Sequence, residues 1–205
     1  MVPTDVNLSR ARRVHAIEAL VVGASAGAVG ALERLLPALR AGSTVPVVIV
    51  VHLPADKPSL LVELFRPRCA LPVREAGEKE PVDAGIWFAP PGYHLLIERD
   101  RTFALSVDEP VHFSRPSIDV LFESAADVYR SALACAVLTG ANDDGAFGAK
   151  HIRDHGGFVM VQDPTAAEAD AMPRAAIAKA NPQWVGSITE MTALLARICC
   201  NGELG

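Results

Sequence analysis

Stretches of apolar, largely β-branched sequence with no polar interruption constrain this chain more than any other feature. ALVV at 19–22, VVIVVH at 47–52, CAVLTG at 135–140 and FVMVQ at 158–162 carry apolar side chains at consecutive positions. A strand with one wet face alternates polar and apolar residues, whereas an unbroken run marks a strand covered on both sides. Helical patterns separate these runs. After the first, Leu32, Leu35, Leu36 and Leu39 form one stripe, and Pro37 is placed to end or bend the helix. A short helix fits 59–65, stopped by Pro67, and GIWFAP at 85–90 is a further strand. SIDVLFESAADVYRSAL at 117–133 is an amphipathic helix entered through Pro116, and AFGAKHIRDH at 146–155 is a helix closed by Gly156 and Gly157. MPRAAIAKA and TEMTALLARICC supply two last helices. The alternation predicts a parallel sheet covered by helices. One segment departs from it: HLLIERDRTFALSV at 94–107 reads as an antiparallel β-hairpin turning at 99–101.

A chain of 205 residues suits one domain with a full α/β core, expected over 16–205 behind a mobile lead-in at 1–15. The formal net charge of −5 and the lack of basic runs argue against nucleic acid as a partner. Cys69, Cys135, Cys199 and Cys200 lack metal-site spacing and read as reduced thiols in a cytoplasmic protein. The basic residues before 19–24 suggest a leader, but Glu18 interrupts the apolar run and the segment continues into an amphipathic helix. No signal peptide and no membrane insertion are expected.

The turn after the first run has two readings. Gly23-Ala24-Ser25-Ala26-Gly27 lies between strand and helix, where backbone N–H groups bind pyrophosphate in dinucleotide folds. The same residues spell G-x-S-x-G, a sharp turn that exposes a serine at a strand tip. The second strand discriminates. A dinucleotide fold wants an acid for the ribose at its end, and here stands His52, a good general base. A later strand end offers Asp143 and Asp144, either of which would fix the imidazole tautomer. Serine, histidine and acid at three strand ends converge on one crevice of an open α/β sheet.

Each residue also has a plain structural reading. Ser25 and Asp144 would serve as helix caps, and His52 as a hydrogen-bonded strand-end histidine. Among the other candidates, His151 and His155 lie four apart on a helix but lack a zincin pattern, and read as a solvated face. His94 follows a turn that either lines the crevice or is structural. Arg115, beside Ser114, fits an acidic substrate or a salt bridge equally. His15 and His112 carry little signal.

The ordered segments VVGASAG, VVHLPAD, APPGYHLL, SRPSIDVLFESAA, VLTGANDDGAFG and AMPRAAI resemble the catalytic domain of the chemotaxis protein-glutamate methylesterases, the CheB type, over about 19–188. The resemblance implies a doubly wound, mainly parallel three-layer α/β/α sheet with an antiparallel hairpin insertion. Ser25, His52 and Asp144 fall on the family's triad positions, and the backbone N–H groups of Ala26 and Ala141 on its oxyanion donors. It implies a serine hydrolase that removes methyl groups from glutamate methyl esters of receptor cytoplasmic helices and deamidates glutamines, with no metal or organic cofactor. Departures are Ala26 and Ala28, where the family commonly has threonine and glycine, and Asn142-Asp143-Asp144-Gly145 against its Gly-x-Asp-Gly. Many members carry an N-terminal receiver domain. The sequence read here leaves no room for one, so control by a separate signalling or receiver protein is expected. Two rivals stay open: an idle relative that only docks on receptors, and a Rossmann-like nucleotide-binding module.

Overall fold

The computed structural model of the chain describes residues 16–53 and 58–201. The lead-in expected at 1–15, with His15, lies outside the described residues. The elements in chain order are β1 (Ala19–Ala24), α1 (Ala28–Leu35), β2 (Val47–Val51), α2 (Leu61–Phe65), β3 (Val73–Glu75), β4 (Ile86–Phe88), the pair β5 (His94–Ile97) and β6 (Phe103–Ser106), α3 (Ile118–Tyr129), β7 (Leu133–Val137), α4 (Ala146–Asp154), β8 (Phe158–Gln162), α5 (Ala171–Ala180), β9 (Trp184–Gly186) and α6 (Ile188–Asn201). Seven strands form one sheet in the order β3-β4-β2-β1-β7-β8-β9, and every pair in it is parallel. The chain winds outward from β1 through β2, then restarts at β7 on the other side of β1. This puts a topological switch between β1 and β7, where such sheets open a crevice at their carboxyl edge.

The unbroken apolar runs are explained by what covers them. Leu20, Val22 and Ala24 of β1 pack into one core with Leu32 and Leu35 of α1, Phe65 of α2 and Leu195 of α6. Ala19 and Val21 face the other core, with Phe122 of α3, Ile152 of α4 and Ala176 of α5. Side chains of successive strand residues point to opposite faces, so both faces of β1 need apolar residues. The predicted stripe on α1 is buried at Leu32, Leu35, Leu36 and Leu39, and a 3₁₀ turn carrying Pro37 follows the helix.

The hairpin β5–β6 forms a separate antiparallel sheet and packs its Leu95, Ile97 and Phe103 into the second core. Its role for the site is to carry His94, whose ring touches the start of α3. Two strands were not anticipated. Three-residue β3 and β9 close the two edges of the main sheet, and pieces that short show no periodicity.

Candidate active site

The turn after β1 is built by its glycines. Gly27 sits at φ +78°, in the left-handed region, and is itself the N-cap of α1; no side chain caps that helix. Ser25 is therefore not the N-cap, and its hydroxyl is free for another partner. A Cβ on Gly23 would stand 2.4 Å from Ile118 Cγ2, so the other glycine of the motif lets the start of α3 approach the turn. The Ser25 N–H donates to Thr139 O (2.9 Å), and the Thr139 hydroxyl donates to Ala26 O (2.9 Å). Thr139 thus pins the turn to the end of β7.

His52 lies one residue beyond β2, and its N–H donates to Ala24 O (3.3 Å). The β1–β2 register, with Ala24 opposite Val51, brings the imidazole beside Ser25. His52 Nδ1 lies 3.2 Å from Ser25 Oγ, and His52 Nε2 lies 2.8 Å from Asp144 Oδ2. A carboxylate only accepts, so Nε2 carries the proton and Nδ1 presents its lone pair to the serine hydroxyl. Relative to the chymotrypsin arrangement the two ring nitrogens have exchanged partners. The carboxylate that meets His52 is Asp144, whose side chain is fully buried; the Asp143 side chain is 61% exposed and faces His112 instead.

Asp144 does not cap the helix that follows it, since Gly145 is the N-cap of α4 at φ +92°. Its carboxylate instead receives the first turn of α3. Oδ1 accepts from the Ser117 hydroxyl (2.9 Å) and the Asp119 N–H (3.0 Å), and Oδ2 accepts from the Ile118 N–H (2.7 Å) as well as from His52. Burial pushes this carboxyl up, but the hydrogen bonds from His52, Ile118 and Asp119 outweigh it and hold the group below the usual carboxylate range. It is the anion at a helix N-terminus that the macrodipole favours.

Further residues support these three: Ser117, Thr139 and Gln162, which carry no sequence signal, and the candidates His94 and Arg115, both in structural use. The buried His94 accepts the Ser117 N–H at Nδ1 (3.1 Å) and donates from Nε2 to Glu109 O (3.1 Å), so it ties α3 to the segment after β6. Arg115 Nη1 donates to Val107 O (2.7 Å) and Asp108 O (3.0 Å), a structural use that is not a salt bridge. Gln162 accepts the Thr139 N–H (2.9 Å). Ser117 is the N-cap of α3, and its hydroxyl's bond to Asp144 spans 27 residues of sequence. A cleft of ≈ 270 Å³ opens beside the triad, lined by His52, Leu53, Pro110, Phe113, Ser114, Arg115 and Pro116.

Asp119 is the second buried acid. Its Oδ1 accepts the Gly148 N–H, and His112 lies 3.5 Å from Oδ2. Burial, with the nearby Asp144 and Glu123 charges, raises it to about 6, against the lowering influence of Gly148 and His112. A raised folded-state value means that this group supports the fold at low pH and withdraws that support as pH climbs through about 6. Against the usual value of 3.8, the displacement is worth on the order of 3 kcal/mol. Asp119→Asn keeps an acceptor for Gly148 and removes the charge. Urea midpoints should fall less between pH 4 and pH 7 in this variant than in the parent, and above pH 7 the variant should be the more stable. Parallel pH profiles would refute this.

A hydroxyl, an imidazole and a buried carboxylate thus stand in a hydrogen-bonded line at the carboxyl edge of a doubly wound sheet. The chain belongs to the CheB methylesterase family, whose model matches residues 20–195. A Leptospira interrogans protein, provisionally named protein-glutamate methylesterase/protein-glutamine glutaminase, is 45% identical over 182 residues, covering 88% of this chain and 94% of that protein. The Symbiobacterium thermophilum protein of the same name is 36% identical over 159 residues, 77% of this chain and 44% of the longer relative. The crystal structure of the Thermotoga maritima CheB methylesterase catalytic domain superposes with a TM-score of 0.84 at 26% identity, covering 90% of this chain and all of that one. Neither the nucleotide-binding nor the idle-docking reading is favoured by these relatives. Among the described residues, no helix is long and apolar enough to cross a membrane.

Proposed function

We propose that this chain hydrolyses the γ-methyl esters of glutamate side chains on the cytoplasmic helices of methyl-accepting receptors, and the side-chain amides of glutamines there. Ser25 is the nucleophile, His52 the general base and acid, and Asp144 the group that holds the imidazole. The observation carrying this reading is the bridge that His52 makes between Ser25 Oγ and Asp144 Oδ2.

Ser25 Oγ attacks the ester carbonyl while its proton passes to His52 Nδ1. The positive charge that forms on the ring lies against the Asp144 carboxylate. The tetrahedral oxyanion is received by the N–H groups of Ala26 and Ala141, neither of which donates to a carbonyl or side chain among the described residues. The N-terminal end of α1 adds its positive field. As the intermediate collapses, Nδ1–H protonates the departing methoxide and methanol leaves. A water molecule then repeats the cycle on the acyl-enzyme, giving up a proton to Nδ1 and releasing glutamate with Ser25 restored. With a glutamine the leaving group is ammonia.

Support for a protein substrate comes from the mouth of the cleft. Phe113, which lines it, is fully exposed, and Leu53 on its wall also lines an apolar groove with Val29, Leu61 and Leu64, where Leu60 is 70% exposed. The test is direct. Incubation with a receptor cytoplasmic fragment carrying methylated glutamates should release methanol, and a fluorophosphonate should label Ser25. Absence of both methanol and label would exclude a hydrolase and leave a docking protein.

A further inference from the structure

A second constellation lies where α3 and α4 end. His151 and His155 are four residues apart, in the last turn and at the C-cap of α4, and their ring centroids are 4.2 Å apart. Asp127, in the last turn of α3, completes the group. His151 Nε2 lies 2.9 Å and His155 Nε2 3.8 Å from Asp127 Oδ1, and the three donor atoms fall within 4.8 Å of one another. We infer that Asp127, His151 and His155 form a binding site for a divalent transition-metal ion of the zinc type, unrelated to the hydrolytic chemistry.

Two independent features support this. The first is spacing. Bonds of about 2.0–2.1 Å in a tetrahedral shell set neighbouring donors about 3.3 Å apart, and the two measured separations from Asp127 lie on either side of that value. The Asp127 carboxylate is exposed and can adjust. The second is the His155 tautomer. Its Nδ1 lies 2.9 Å from the His151 carbonyl, which only accepts, so Nδ1 carries a proton and Nε2 is turned toward Asp127. The Nδ1–H···O=C bond is also the second-shell contact that orients metal-ligating histidines. His151 becomes a ligand when Nε2 exchanges its hydrogen bond to Asp127 for the ion, with the ring proton held on Nδ1. The C-terminal ends of two helices add a negative field that favours a cation.

The residue types set the ion class. Two imidazoles and one carboxylate suit Zn²⁺, Co²⁺, Ni²⁺ or Cu²⁺ and discriminate against Mg²⁺ and Ca²⁺. Water fills the fourth position. The ion would clamp the C-terminal turns of the two helices whose opposite ends meet at Asp144, Ser117 and Gly145. From His151 to the start of α4 is five residues, about 8 Å along the axis, so the clamp acts on the frame and not on the reacting groups.

Zn²⁺ titration of the full chain against a chromogenic chelator should show one saturable equivalent. Thermal unfolding at about 100-fold excess over the dissociation constant should move up by about 5–10 °C, with no such shift from Mg²⁺. The double variant His151→Gln/His155→Gln should lose the equivalent and the shift. Asp127→Ala, a change at an exposed side chain, should weaken binding at least about tenfold while leaving metal-free unfolding unchanged. His112→Gln, outside the cluster, should bind as the parent does. Failure of the parent to bind, or undiminished binding by the double variant, overturns the site.

Discussion

Ser25→Ala should lower methanol release from a methylated receptor fragment by at least about 10⁴-fold, with the fold intact. Both halves of this expectation come from the turn after β1. The hydroxyl contributes nothing to α1, because Gly27 is the N-cap and no side chain caps the helix. The turn is held by backbone groups, namely the Ser25 N–H to Thr139 O and the Ala28 N–H to Ser25 O, and alanine retains both. Replacing a capping serine would cost about 1 kcal/mol of stability and leave chemistry untouched. Here the unfolding midpoint should stay within about 0.5 kcal/mol of the parent, as at sites without such a feature. Circular dichroism with urea unfolding reads the first quantity, and headspace methanol the second. Residual turnover would come from Ala26 and Ala141 polarising the ester for attack by water. A variant that released methanol at the parent rate would remove Ser25 from the mechanism, and one that lost stability without losing rate would restore the cap reading.

The legible parts of the fold are those whose cause is local. Strands β1, β2, β7 and β8 announce themselves because burial on both faces forbids polar residues, and α1 because its leucine stripe has one core to meet. Strands β3 and β9 are three residues each at the sheet edges, too short for any pattern to distinguish them from loop. The same division runs through the site. Ser25 and His52 could be picked out as candidates because each stands one residue past a buried strand, and Asp143 and Asp144 because their loop follows another; parallel packing gathers strand ends. The identity of the acid was not readable from residues alone, since Asp143 and Asp144 are adjacent; the resemblance favoured Asp144, and only the loop's course turns it inward. Nor were the contacts that hold it in place. Ser117, Asp119 and His94 reach Asp144 or its support across sequence separations of 23–27 residues, and Thr139 holds the serine turn from 113 residues away. Such partnerships depend on the depth at which α3 enters the sheet, which Gly23 sets by leaving room for Ile118. Likewise, nothing in HIRDH shows that His151 meets Asp127 of another helix.

Asp144→Asn carries the second large effect, and unlike the serine change it should damage rate and stability together. The carboxylate accepts four hydrogen bonds, two at each oxygen. An asparagine has one oxygen. If that oxygen takes the place of Oδ1, it keeps Ser117 and Asp119, and the amide NH₂ confronts the Ile118 N–H and His52 Nε2. His52 can then relieve the clash only by moving its proton to Nδ1, which leaves a hydrogen where the serine proton must go. The reverse orientation rescues His52 and Ile118 but sets the NH₂ against the Asp119 N–H at the buried end of α3. In a serine hydrolase the wrong tautomer alone costs about 10⁴ in kcat. A buried N–H left without an acceptor costs about 1–3 kcal/mol. The expected result is therefore a rate loss near that of a tautomer error, combined with a lower urea midpoint. Fluorophosphonate labelling of Ser25 should slow in parallel with turnover, because both need the same free lone pair on Nδ1. Full activity in Asp144→Asn would show that the imidazole is oriented by some other group. Lost activity with an undiminished labelling rate would place Asp144 in release of the acyl-enzyme and not in activation of Ser25.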